Sequence, residues 1–143
     1  MTTNKYVELL YVEDNMADAE LALDSLKEHN LINNIKHLKD GQEVLDYFFN
    51  KRNPDETAHY PRLILLDLKL PKVSGLEVLE KLKSEKQLCE IPVVILTSSN
   101  EDIDIKRAYQ LGANSYIVKP VNFHNFADAI RQLSMYWLVL NRH

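Results

Sequence analysis

The stretch LILLDLKLPKVSG, Leu63 to Gly75, decides the fold. Its opening residues are all apolar and leave no polar face. It therefore reads as a strand covered on both sides, as in a parallel sheet between two layers of helices. The strand closes on a carboxylate, Asp67, with Pro71 and Gly75 in the turn that follows. Ligands of open α/β sheets bind beyond the carboxyl ends of the strands, so Asp67 is a candidate working group. Ser74 with Glu77 three residues later is a capping-box pattern, which starts a helix just past the turn.

Working outward, four further runs rich in Val, Ile, Leu and Tyr have strand character: YVELLYV, NIKHL, PVVILT and SYIVK. Helical stripes separate them, carried by Ala19, Leu23 and Leu26, by Val44, Leu45 and Phe48, and by Leu76, Leu79 and Leu82. Such alternation predicts a doubly wound, five-stranded parallel sheet. Lys36 and His37 make the second strand polar enough for an edge, and Gly112 after AYQL is a candidate helix C-cap. The segment from Asn50 to Pro61 is charged, contains two prolines and is long for an internal connection, so it is expected to be a solvated insertion.

The 143 residues fit one domain, expected to span 1–143 with the C-terminal helix extended over 135–143. A composition of 45% hydrophobic and 27% charged residues is that of a soluble globular chain. The net charge of −4, without a basic cluster, argues against nucleic acid and anionic membranes. No apolar window is long enough for a spanning helix or a signal peptide, so a cytoplasmic location is expected. Cys89 is the only cysteine, which excludes an internal disulfide. The histidines, His29, His37, His59, His124 and His143, lack metal-ligand spacing and read as surface residues.

Chain order then gathers polar groups. Glu13 and Asp14 close the first strand, Asp67 the third, Thr97 the fourth and Lys119 the fifth. In a right-handed sheet of order 2-1-3-4-5 these ends share one edge, and strands 1 and 3 meet at the switch point, which makes Asp14 and Asp67 neighbours. Crowded carboxylates repel, and one lysine cannot neutralise them. Hard oxygen donors without His or Cys select Mg²⁺, which commonly pairs carboxylates with a phosphoryl group. Lys119 can then hold a phosphoryl oxygen, the Thr97 hydroxyl can donate to another, and Asp67 is left as nucleophile for an aspartyl-phosphate. Each piece alone has a plainer explanation: a helix cap for the acidic pair, a backbone partner for the threonine, a solvated turn for the lysine before proline. Their joint placement favours the functional one.

With EDN at Glu13–Asn15, D-x-x-L-P-x-x-x-G from Asp67 to Gly75, LTSS at Leu96–Ser99 and GANSYIVKP from Gly112 to Pro120, the chain resembles a response-regulator receiver domain over nearly its whole length. The resemblance implies a flavodoxin-like receiver fold and a phosphoryl group accepted by Asp67 from a sensor histidine kinase, with Mg²⁺ as cofactor. It also implies Asp14 as direct metal ligand, Glu13 as the more remote acid, a metal-binding backbone carbonyl at Lys69 and a phosphate contact from Lys119. Thr97 and Tyr116 match the switch pair, and Pro120 falls where such domains have a cis peptide. The implied role is a stand-alone signalling switch read by a downstream protein, not an enzyme acting on other substrates.

Rival classes fit less well. A phosphohydrolase using an aspartyl-phosphate wants an acid-base Asp two residues after its nucleophile, where Lys69 stands, and a degenerate receiver would have lost Asp14, Asp67 or Lys119. A flavin-binding protein wants a phosphate loop, which a chain with three glycines does not show. The long Asn50–Pro61 loop and the aromatic tail MYWLVLNRH are similar to the receivers that accompany bacterial phytochromes. Phe126, Ile130, Leu133, Trp137 and Leu140 extend a helical stripe into that tail, and Tyr136, Trp137 and Leu140 are expected to form a homodimer interface, with packing on the chain's own domain or in a partner's groove as the alternatives.

Overall fold

The computed structural model describes residues 9–28, 34–49, 60–97 and 102–119. Five strands, β1 (Leu9–Val12), β2 (Ile35–Leu38), β3 (Leu63–Asp67), β4 (Val93–Thr97) and β5 (Ser115–Val118), alternate with four helices, α1 (Met16–Glu28), α2 (Gly41–Phe49), α3 (Gly75–Ser84) and α4 (Asp102–Gln110). All strand pairings are parallel, in the order β2-β1-β3-β4-β5. The expected sheet is thus the observed one, with the polar second strand at an edge. The fifth helix, most of the Asn50–Pro61 connection, Ser99, Pro120 and the tail with Tyr136, Trp137 and Leu140 lie outside the described residues.

Alternation along the strands divides the core. Leu10 and Val12, Ile64 and Leu66, and Val93 and Ile95 pack with Val44, Phe48, Val78, Leu79 and Leu82 of α2 and α3. Leu9 and Tyr11, Leu63 and Leu65, and Val94 and Leu96 pack with Ala19, Ala22 and Leu26 of α1. Because both faces are covered, β1, β3 and β4 are buried at every position, which is why their sequences carry no polar alternation.

Helix ends follow local chemistry. Ser74 caps α3, with Glu77 N–H donating to its hydroxyl at 3.2 Å. Asn15 caps α1 through a bond from Asp18 N–H to Oδ1 at 3.0 Å, and Asp40 caps α2 through Glu43 N–H at 2.8 Å. At the end of α4, Gly112 takes a left-handed φ of 109°, and Ala113 N–H reaches back to Ala108 O at 2.9 Å. This is the glycine-terminated helix end that the sequence suggests.

Candidate functional site

The carboxyl ends of β1, β3 and β5 meet at one edge of the sheet, and strand parity determines which side chains meet there. Glu13 continues the parity of Leu9 and Tyr11, Asp67 that of Leu63 and Leu65, and Lys119 that of Ile117, all on the α1 side of the sheet. Their side chains converge. Lys119 Nζ lies 2.9 Å from Asp67 Oδ2, is in close contact with Glu13 Oε1, and lies 3.6 Å from Asp18 Oδ2 on the first turn of α1. Asp14, exposed beside this pair, completes a cluster in which carboxylate oxygens of Glu13, Asp14 and Asp67 lie within 4.8 Å of one another.

Burial makes the cluster electrostatically costly. Glu13 is wholly buried and its carboxyl is pushed up to about 7, chiefly by loss of water and next by the neighbouring Asp67, with Lys119 pulling the other way. For Lys119 burial alone would favour the neutral amine, yet the two carboxylates outweigh it and raise its proton affinity. Tyr11, beneath Glu13 on the same face, keeps its phenol proton far above the ordinary range through burial and then the charge of Glu13. The lysine is one cation among several carboxylates. The donor set is all oxygen without sulfur or imidazole, which suits a small hard divalent cation.

Backbone geometry holds Asp67 still. Its Oδ1 accepts from Lys69 N–H at 3.0 Å, and the following loop doubles back so that Gly75 N–H donates to Leu68 O at 2.9 Å. A Cβ on Gly75 would stand 2.6 Å from Leu68 Cα and closer still to Asp67 O, so only glycine fits there. Within the loop, Val73 N–H donates to Pro71 O at 2.9 Å across Lys72, whose φ is 70°. That pairing is a γ-turn of the rarer left-handed kind. Val73 presses on the start of α2, where a Cβ on Gly41 would meet the Val73 carbonyl carbon at 2.7 Å.

The expected residues separate into two groups. Glu13, Asp14, Asp67 and Lys119 come together at one edge. Lys69 places its amide on Asp67 and its side chain in solvent. Thr97 is fully buried, with its carbonyl accepting Lys119 N–H at 2.7 Å, but it shares the parity of Val93 and Ile95 on the opposite face. Tyr116 is exposed on the edge strand β5 and stacks edge-on against Tyr109 of α4 at 6.0 Å. Three further participants were given no role by the sequence reading, although Asn15 lies within the EDN motif. Asn15 and Asp18 act through α1, and His37, half-buried and not a plain surface residue, places Nε2 2.8 Å from Glu13 O. For Asn15 the available signal was a cap residue directly after the acidic pair.

Residues 9–131 match the family described as response regulator receiver domain. A probable methanogenesis regulatory protein of Methanothrix harundinacea, FilR2, is 40% identical over 134 residues, covering 94% of this chain and 85% of that protein. The response regulator Rcp1 of Synechocystis is 35% identical over 130 residues, 91% of this chain and 88% of that protein. Its Mn²⁺-bound structure superimposes with a TM-score of 0.75, covering 91% of this chain and 93% of that one. The bacteriophytochrome response regulator AtBRR is 45% identical, with a TM-score of 0.76 and coverage of 96% of this chain and 99% of that one.

Proposed function

Because the chain belongs to the response regulator receiver domain family, we propose that it is a stand-alone response regulator that takes a phosphoryl group onto Asp67 from a sensor histidine kinase. Receiver domains are signalling switches and not enzymes in the ordinary sense. The observation that carries the assignment is the lysine bridge: Lys119 Nζ spans the buried Glu13 and Asp67 beside the exposed Asp14, at the sheet edge where ligands of this fold class bind.

Each group has a task in that reaction. Asp67 supplies the attacking oxygen, so the new bond is oxygen to phosphorus while the phosphorus to nitrogen bond of the donor phosphohistidine breaks and its imidazole takes a proton. Lys69 N–H and Lys119 hold the carboxylate in one orientation before the attack. Lys119 then turns a proton toward a phosphoryl oxygen. Glu13, Asp14, Asp67 and the Lys69 carbonyl would hold Mg²⁺, which when bound neutralises the carboxylates and the phosphoryl oxygens. The Mn²⁺-bound Rcp1 supports a divalent cation in this family.

Phosphorylation adds charge where Thr97 faces away, so its hydroxyl would turn toward the phosphoryl group. Tyr116 would then follow and change the β5 and α4 surface that a downstream protein reads. The similarity to AtBRR, a bacteriophytochrome response regulator, supports a phytochrome-like kinase as partner, and the apolar tail residues Tyr136, Trp137 and Leu140 would join two copies. Among the described residues no helix is long and apolar enough to cross a membrane. Incubation with a small phosphodonor and Mg²⁺, followed by intact-mass spectrometry, should show one added phosphoryl group in the parent and none in Asp67→Asn. Equal modification of both proteins would refute the assignment.

A further inference from the structure

The ladder between β1 and β2 runs out at the site. Glu13 N–H still donates to Leu38 O at 3.0 Å, and one more step of a parallel ladder would bring the Asp40 N–H to the Glu13 carbonyl. The chain turns away there, because Asp40 caps α2 and Gly41 begins it. A side chain takes the vacated place: His37 Nε2 lies 2.8 Å from Glu13 O. A carbonyl only accepts, so Nε2 carries the proton and donates. The ring is also held by its face. His37 pairs with Tyr11 in the strand register and stacks on its ring at 5.6 Å with an interplanar angle of 29°, and Tyr11 is anchored in the α1-side core.

What this bond controls is the peptide between Glu13 and Asp14. Asp14 is the exposed member of the acidic cluster, and among the described residues no hydrogen bond or ion pair holds its side chain. Its carboxylate is therefore aimed by backbone alone. The backbone on its far side is fixed by Asn15 N–H donating to Glu13 Oε2 at 3.3 Å, and on its near side by the imidazole on the Glu13 carbonyl. We infer that His37 is a positioning residue of the cation site, fixing the Glu13–Asp14 peptide from the edge strand so that Asp14 faces Glu13 and Asp67. The inference rests on the divalent-cation assignment above and adds a residue from β2, a strand that otherwise contributes nothing to the site.

The test is Mg²⁺ alone, titrated into the full chain and followed through the backbone amide shifts of Asp14 and Lys69, with urea midpoints measured in parallel. H37F keeps a ring against Tyr11 without a donor, H37L keeps bulk, and H37Q restores an amide donor near the position of Nε2. H37F and H37L should weaken Mg²⁺ about tenfold, the usual effect of losing an outer partner of a metal site, while H37Q stays within about threefold of the parent. K36A, on the exposed side of the same strand, should change neither affinity nor midpoint. H37F and H37L that bind within about twofold of the parent overturn the inference, as does an affinity loss that follows the urea midpoint and is not rescued by H37Q. If one donor-free variant fails to fold, the other carries the comparison. A parent protein that does not respond to Mg²⁺ and is indistinguishable from D14N overturns the cation site itself, and with it the role of His37.

Discussion

Replacing Gly75 by alanine tests whether the loop after β3 is built around the nucleophile. The three atoms nearest an added Cβ all belong to the Asp67 and Leu68 backbone, with Leu68 Cα at 2.6 Å and the Asp67 carbonyl carbon at 3.0 Å. Comfortable carbon contacts begin near 3.5 Å, so α3 and β3 must separate by about 1 Å, and no side chain can rotate away to relieve the clash. Overpacking of this kind costs roughly 1 to 3 kcal/mol, and backbone opposition places it at the upper end. The bond from Gly75 N–H to Leu68 O, 2.9 Å in the parent, would stretch and forfeit about 1 kcal/mol more. Alanine returns roughly 0.4 to 1 kcal/mol by restricting the unfolded chain. The net expectation is a loss of about 3 kcal/mol, or a urea midpoint lower by about 1.5 M for a slope near 2 kcal/mol/M. Asp67 would move with the loop, so Mg²⁺ should also stabilise the variant less. A G75A protein as stable as the parent, or more so, would refute the steric argument.

Lys72, three residues earlier, should tolerate replacement. K72G removes a left-handed strain of about 1 to 2 kcal/mol and loses a similar amount to chain entropy and an exposed Lys72–Asp40 contact, so its urea midpoint should match the parent's; a collapse in stability would show that the γ-turn is not strained. The buried Glu13 carboxyl, pushed up to about 7, binds a proton more readily folded than unfolded. Metal-free stability should therefore fall as pH rises from about 4.5 to 7, and Mg²⁺-induced stabilisation should grow over the same range. A metal-free melting temperature that climbs between about pH 4.5 and 7 would contradict this. For the tail, sedimentation at about 50 µM should show a dimer that Trp137→Asp weakens, and a monomer in both proteins would reject the interface.

The sheet was legible because burial leaves a mark in composition. LILLD and PVVILT have no polar face, and the polar IKHL falls at the edge, so periodicity alone separates central strands from an outer one. The acidic edge was legible for a related reason. Charged residues at the carboxyl ends of parallel strands collect where the strands end together, and Glu13, Asp14, Asp67 and Lys119 do.

What stayed hidden depends on partners distant in sequence. His37 bears on the site through a ladder that ends one step early, which is visible only once the strand register places it opposite Tyr11. Gly41 and Val73 meet across 32 positions because α2 starts beside the β3 loop, so nothing local marks that glycine as sterically required. Strand parity supplies the remaining step. Asp67 and Lys119 point to the α1 side while Thr97 shares the parity of the opposite face. If Asp67 takes the phosphoryl group as proposed, a turn of the Thr97 side chain at the end of β4 would bring its hydroxyl toward that group. That local change is the route we propose by which charge on the α1 side would be felt at Tyr116 and Tyr109, exposed on the far side of β5.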